Sequence, residues 1–169
     1  MDAIEAILGR RSIRQYADKI IPEEKIETLL RAAMAAPSAN NIQPWHFVII
    51  NDRKTLDAIP SFHPYSKMLA QAPLAILICG DTTAVSHPEY IYLDCSAATQ
   101  NILIAAHALG LGAVWLGIFP RKERIEGIKN LIKLPEHIQP VALISLGYPA
   151  ESKEPSNRFA KSKVRFNRW

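Results

Sequence analysis

The sequence predicts a single domain in which helices flank a central sheet. Three observations carry this expectation. The chain has 169 residues, enough for one domain with a sizeable core. Four short apolar runs, at 46–50, 74–79, 113–119 and 141–146, lack polar alternation and read as strands covered on both faces. Segments with apolar residues three and four apart stand between them and read as helices. Such alternation ordinarily suggests a parallel, doubly wound sheet. No Gly-x-Gly-x-x-Gly follows any run, so nothing supports a dinucleotide site of that kind. Pattern alone leaves a parallel sheet and a mixed, largely antiparallel sheet both open.

Each element has a local reason. Ile4, Ile7 and Leu8 form a short apolar-periodic segment at the start. Pro22-Glu23-Glu24 opens a helix, with proline in the first turn and acids at the positive end of the dipole. Ile26, Leu29, Leu30, Ala33 and Met34 then share one face, and Pro37 stops the helix. Trp45 is assigned to the core and His46–Ile50 to the first strand. Asp52 is placed to cap a short helix reaching Leu56. Residues 60–73, with prolines at 60, 64 and 73, read as irregular, with one helical turn at 67–71. Leu74–Cys79 is a strand closed by Gly80-Asp81. Pro88 opens a long helix whose face carries Ile91, Cys95, Ala98, Ile102, Ala105 and Leu109, with Gly110 as its cap. Ala113–Phe119 is the third strand, 121–128 a helix, and Val141–Leu146 the fourth strand.

Composition removes several classes of function. An apolar content of 49% with 21% charged residues is that of a soluble globular chain, and no apolar run is long enough to cross a bilayer. Acids near the N-terminus, Asp2 and Glu5, argue against a secretory signal. Cys79 and Cys95 lie in apolar surroundings without metal-ligand spacing, which suggests buried thiols in a reducing cytoplasm. The five histidines form no zinc pattern, so no metal site is expected. The net charge is +4. Residues 151–169 hold six cations against two acids and so account for all of it. Phe159, Val164, Phe166 and Trp169 interrupt that basic tail. Interleaving of this kind suits a segment packed on protein, with base stacking on a nucleic acid as the competing explanation.

Two segments carry chemistry. Arg10-Arg11-Ser12-Ile13-Arg14-Gln15-Tyr16 sets three guanidiniums and a hydroxyl close together, and such forks fit phosphate oxygens two at a time. A solvated basic turn is the alternative. Pro37-Ser38-Ala39-Asn40-Asn41-Ile42-Gln43-Pro44-Trp45 is rich in amides and pinned by a proline near each end. Loop bracing is the alternative for Asn41 and Gln43.

In order and spacing, both segments resemble the nitroreductase family of FMN-dependent oxidoreductases. Arg10, Arg11, Ser12, Arg14 and Tyr16 match its first motif; Pro37, Ser38, Asn41, Gln43, Pro44 and Trp45 match its second. Gly110–Gly117 and the tail at 157–169 extend the resemblance over nearly the whole chain. It implies an α+β fold with a mixed, largely antiparallel sheet, formed by residues 1–169 as one domain. It also implies a homodimer whose C-terminal extension, 155–169, packs on the partner.

For the site, the resemblance implies that Arg10, Arg11 and Ser12 bind the phosphate and ribityl end of FMN. Arg14 would reach the pyrimidine edge of the ring. Pro37, Ser38, Asn41 and Gln43 belong to the loop that covers the flavin from the other subunit. Main-chain N–H groups of Leu116 and Gly117, beside Trp115, would face the ring. Arg158 and Lys161 are the tail cations placed near the phosphate. Arg14, Leu116 and Gly117 are thus the expected catalytic positions, and Asp94 is read as structural. NADH or NADPH would reduce the flavin and a small aromatic acceptor, a nitroaromatic or a quinone, would reoxidise it by a ping-pong course. No nucleic-acid or membrane partner is expected. A flavin-binding protein without turnover, serving storage or redox sensing, is the alternative. Relatives are often longer, and the shortfall suggests a more open pocket.

Overall fold

The computed structural model describes residues 1–169. Five helices surround one sheet: α1 (Ala3–Gly9), α2 (Glu23–Met34), α3 (Arg53–Ala58), α4 (Glu89–Ala108) and α5 (Lys122–Ile132). The strands are β1 (Tyr16–Ala17), β2 (Trp45–Ile50), β3 (Leu74–Asp81), β4 (Gly112–Gly117) and β5 (Ile138–Pro149). All strand pairings are antiparallel, β2 with β3, β3 with β5, and β4 and β1 with β5. The sheet is therefore the α+β arrangement. The only parallel contact is an isolated bridge between Ser12 and Ala113.

The apolar runs are continuous because both sheet faces are covered. Along β3, Leu74, Ile76 and Ile78 belong to a core shared with Leu29 of α2 and Ile102 of α4. Ala75, Leu77 and Cys79 point the other way, into a core with Leu56 of α3 and Ile128 of α5. A period of two thus feeds two cores, and neither face needs polar residues. Asp2 caps α1 and Asp52 caps α3, each accepting from the backbone N–H three residues on.

Several boundaries differ from the sequence expectation. β4 ends at Gly117 rather than Phe119, because the Ile118 and Phe119 N–H groups both turn to Val141 O, at 3.3 and 3.0 Å, and a cis peptide precedes Pro120. α5 continues to Ile132 and stops where Lys133 adopts φ 54°. β5 is twice the expected length and runs through Gly147-Tyr148-Pro149 to pair with β1, which the sequence did not suggest. The glycine explains the extension: a Cβ at Gly147 would lie 2.7 Å from Cδ1 of Tyr16. The Tyr16 hydroxyl lies 2.8 Å from Ile13 O and 3.2 Å from Ser145 O, which fastens the arginine-rich segment to the sheet.

Cys79 and Cys95 are unpaired and fully buried, and burial pushes both thiols up to about 12. Almost no thiolate exists at neutral pH. A disulfide-exchange reagent at pH 8 should therefore label neither in the native protein and both after denaturation, read by absorbance. Native labelling at either site would contradict this burial.

Candidate functional site

The site is built on the outer edge of β4. Ile118 donates to Val141, so these residues form a hydrogen-bonded pair, and alternation makes Leu116–Leu143 another. Ala113, Trp115 and Gly117 must then turn their N–H and C=O groups away from β5. Ile13 confirms the parity by donating to Ala113 O at 3.0 Å. This is a correction to the expectation that Leu116 and Gly117 both present N–H groups. Leu116 faces β5, and the outward donors belong to Trp115 and Gly117.

A cavity of about 470 Å³ opens along this edge. Trp115, Leu116 and Gly117 form one wall and Arg14 another, with His63, Tyr65, Lys67 and Arg124 opposite. Arg14 is exposed, and its main-chain N–H is held by Glu151 at 2.5 Å. Lys67 and Arg124 add two more cations, and no carboxylate lines the cavity. Gly117 O accepts from Arg124 Nη1 at 2.7 Å and lies 3.1 Å from His63 Nε2. Lys67, His63 and Arg124 were not singled out by sequence. The first two lie in the proline-rich stretch read as irregular, and Arg124 lies in an ordinary amphipathic helix.

A second cavity, about 480 Å³, is lined by Ile7, Leu8, Arg10, Arg11 and residues 155–159. Burial, then Arg158, then Arg11 push the Arg10 guanidinium below its ordinary value. These arginines therefore crowd one another without an acid among them. Arg11 is already engaged: Nε donates to Glu154 O at 2.8 Å, and Nη1 to Leu8 O and Arg10 O at 3.1 and 2.5 Å. It ties the tail to the end of α1, and Lys153 ties it to the segment before β1 by donating to Ser12 O at 2.8 Å. That anchorage brings Arg158 to Arg10. Lys161 sits in an exposed turn and lines neither cavity. Ser12 is half-buried between the two arginine positions that face them.

The segment 37–45 lies apart from both cavities. Ser38 Oγ accepts from Gln43 N at 2.9 Å and Gln43 Nε2 donates to Asn41 Oδ1 at 2.8 Å. Asn40, Asn41 and Gln43 take φ of 52°, 56° and 56°, conformations asparagine tolerates better than most residues. Asp94 is buried and accepts from Ala39 N at 3.1 Å, the structural role expected of it. Pro37 stands exposed beside this braced loop, and Trp45 is buried in the core.

Glycine positions test what the open edge is for. A Cβ at Gly80, Gly112, Gly127 or Gly147 would meet a neighbouring side chain at 2.2–2.7 Å, so packing explains those glycines. A Cβ at Gly117 would meet nothing nearer than 3.9 Å. The chain's own packing gives no reason for glycine there. A flat ligand lying on the strand does, because a missing Cβ lets backbone approach it. Cationic cluster, hydroxyl and bare strand edge are features suited to a planar group bearing a phosphate.

Comparison with known proteins agrees with that class. The family model described as "Nitroreductase family" matches residues 7–63 and 60–148. The chain belongs to the nitroreductase family. A Methanothermobacter thermautotrophicus protein named "Putative NADH dehydrogenase/NAD(P)H nitroreductase" is 47% identical over 169 residues, covering 100% of this chain and 88% of that one. A crystal structure of a protein so named from Parabacteroides distasonis superimposes with a TM-score of 0.95 at 43% identity, covering 99% of this chain and 98% of that one. A Clostridium difficile structure described as an "FMN-dependent Nitroreductase" gives 0.91 at 31% identity, with 98% and 99% covered.

Two alanine substitutions separate packing from binding. Gly147→Ala should destabilise the fold by about 1–3 kcal/mol through overpacking against Tyr16, measured by chemical denaturation. Gly117→Ala should leave the fold within about 0.5 kcal/mol, yet weaken FMN binding by roughly tenfold or more, measured by fluorescence titration. Equal FMN affinity in Gly117→Ala and the parent would remove the ligand from this strand.

Proposed function

We propose that the chain is an FMN-dependent oxidoreductase that uses NADH or NADPH to reduce small aromatic acceptors, nitroaromatics or quinones, by a ping-pong course. It works as a homodimer with the flavin at the subunit interface. The observation that carries this reading is the outward edge of β4 at Gly117, joined by the segment Arg10–Tyr16 to an uncompensated arginine cluster. Bound FMN supplies a two-electron carrier between the nicotinamide and the acceptor.

The chain's own residues bind, orient and polarise. Arg10 and Arg158 hold the phosphate, while Arg11 and Lys153 anchor the tail that carries Arg158. Ser12 lies where the ribityl chain passes. The N–H groups of Trp115 and Gly117 face the ring, and Arg14 and Lys67 place positive potential at one edge of it. Pro37, Ser38, Asn41 and Gln43, which line neither cavity in their own protomer, come from the partner. Lys161 has no such support and leaves the proposed site. The open cavity beside Gly117 serves nicotinamide and acceptor in turn. The buried, unpaired thiols fit a reducing cytoplasm, and no helix is long and apolar enough to cross a membrane.

Exposed apolar surface supports the dimer. Ile4, Ile7 and Leu8 of α1 are 64%, 48% and 65% exposed, and Phe159, Phe166 and Trp169 of the tail are 78%, 84% and 102% exposed. The periodicity of α1 thus buries only Ala6 within its own protomer. Apolar side chains left exposed in this way support a partner interface. Deleting residues 155–169 should abolish both the dimer and flavin retention, as read by sedimentation and visible absorbance. A truncated protein that stays dimeric and yellow would contradict the exchange of tails.

Two measurements test the chemistry. FMN should bind far better than riboflavin, and Arg10→Ala should cost roughly 2–3 kcal/mol of FMN binding, as for removing one partner of a charge-assisted pair. Equal affinity for both flavins would sink the phosphate assignment. Anaerobic NADH or NADPH should bleach the flavin absorbance, and a quinone or nitroaromatic should restore it. Failure of both nicotinamides to bleach it would favour a flavin-storage protein.

A further inference from the structure

His63 belongs to neither sequence motif, yet its surroundings are closely defined. The side chain is 1% exposed. Its main chain is tied on both sides: the N–H donates to Ile59 O at 3.1 Å, and its carbonyl accepts from Ser66 N at 3.1 Å and Ser66 Oγ at 2.7 Å. The ring therefore projects from a rigid turn. Nε2 lies 3.1 Å from Gly117 O, while Nδ1 is buried without a partner. A carbonyl oxygen can only accept, so Nε2 carries the hydrogen in this contact and Nδ1 in the neutral ring is bare.

The second donor on that oxygen is Arg124 Nη1, at 2.7 Å. One carbonyl thus takes side-chain donors from two separate elements, the turn at His63 and helix α5. The need for them is local. Gly117 ends β4, its groups point away from β5, and glycine is the least restrained residue in the backbone. In an extended residue the N–H and C=O lie on the same side of the strand. Holding the oxygen therefore also holds the direction of the Gly117 N–H.

We propose that His63, as the neutral Nε2–H tautomer, is a positioning residue that locks Gly117 together with Arg124 and keeps the Gly117 N–H aimed into the cavity beside β4. What that N–H meets rests on the FMN reading above; the lock itself does not. The groups facing the same cavity are Arg124 from α5, Lys67 and Tyr65 from the turns after His63, and Arg14 from the segment before β1. A second proton on the ring would strand an N–H at Nδ1 in a buried position with cations around it. Burial first, and Arg124 second, hold the His63 pKa below its usual 6.5. The ring therefore stays neutral, as the Nε2–H tautomer, to lower pH than an ordinary histidine.

The test is 15N relaxation at Gly117 in the purified protein, with FMN affinity measured alongside at the same pH. Parent protein at pH 7.5 should show a rigid Gly117, with an order parameter near about 0.85. His63→Leu should drop it toward about 0.6 or lower, and raise the FMN dissociation constant roughly fivefold, as expected for one lost hydrogen bond. His63→Gln, which keeps a side-chain N–H donor, should keep both values closer to the parent's than His63→Leu does. Arg124→Leu, which removes an exposed helix's side chain and its contact with the Tyr65 ring but no buried group of the turn's hydrogen bonding, should shift both values in the same direction, and so decides the matter if His63→Leu does not fold. A rigid Gly117 in His63→Leu and in Arg124→Leu would overturn the proposal. A parent protein that takes up no FMN would refute the cofactor reading, while the relaxation data would still decide the lock.

Discussion

An edge strand presents main-chain donors and acceptors that the sheet cannot satisfy, and folded proteins cover, bend or charge such edges. β4 is treated in three ways along six residues. Ile13 pairs with its first part at Ala113, His63 and Arg124 hold its last carbonyl, and the stretch between is left to face a cavity. That division depends on the parity of the β4–β5 ladder. A slip of one residue would turn Leu116 outward and bury the Gly117 donor. The long pairing of β5 with both β3 and β4 fixes the parity, and so the core determines which two donors the site can use.

Charge is the second constraint. Arg10, Arg11 and Arg158 are gathered without a carboxylate, an arrangement that costs free energy in the chain by itself and favours a bound anion. Arg11 shows how the cluster is held. Its donors cap carbonyls at the end of α1 and grip the tail, so a residue read as a ligand for phosphate is also the strut that delivers Arg158. Apolar residues also stand exposed on α1 and along the tail, the surface on which the proposed dimer rests.

Much of this was legible in the residues, and the gaps have physical causes. Proline and acid signals placed α2, Asp52 placed α3, and continuous apolar runs placed β2 and β3. Those runs report burial on two faces and carry no information on strand direction, so parallel and antiparallel sheets looked alike until the motifs were considered. β1 was invisible because two residues make no pattern, and its pairing depends on a distant glycine at 147. Arg10 stood out by its place in a cationic run, while Arg14 and Gly117 were singled out mainly through the family resemblance. Leu116 was misplaced because sequence cannot show ladder parity. His63, Lys67 and Arg124 converge from a proline-rich turn region and a surface helix, where no spacing rule applies. The braced loop at 37–45 was recognisable by composition, but its separation from both cavities is a property of the folded chain.

The most direct test of the account is a crystal structure of the protein with FMN bound. The ring should lie against the outer edge of β4, with the Gly117 N–H directed at it and the phosphate between Arg10 and Arg158. Residues 37–43 over the ring should belong to the other protomer. A flavin bound away from β4, or one enclosed entirely by a single protomer, would contradict the account.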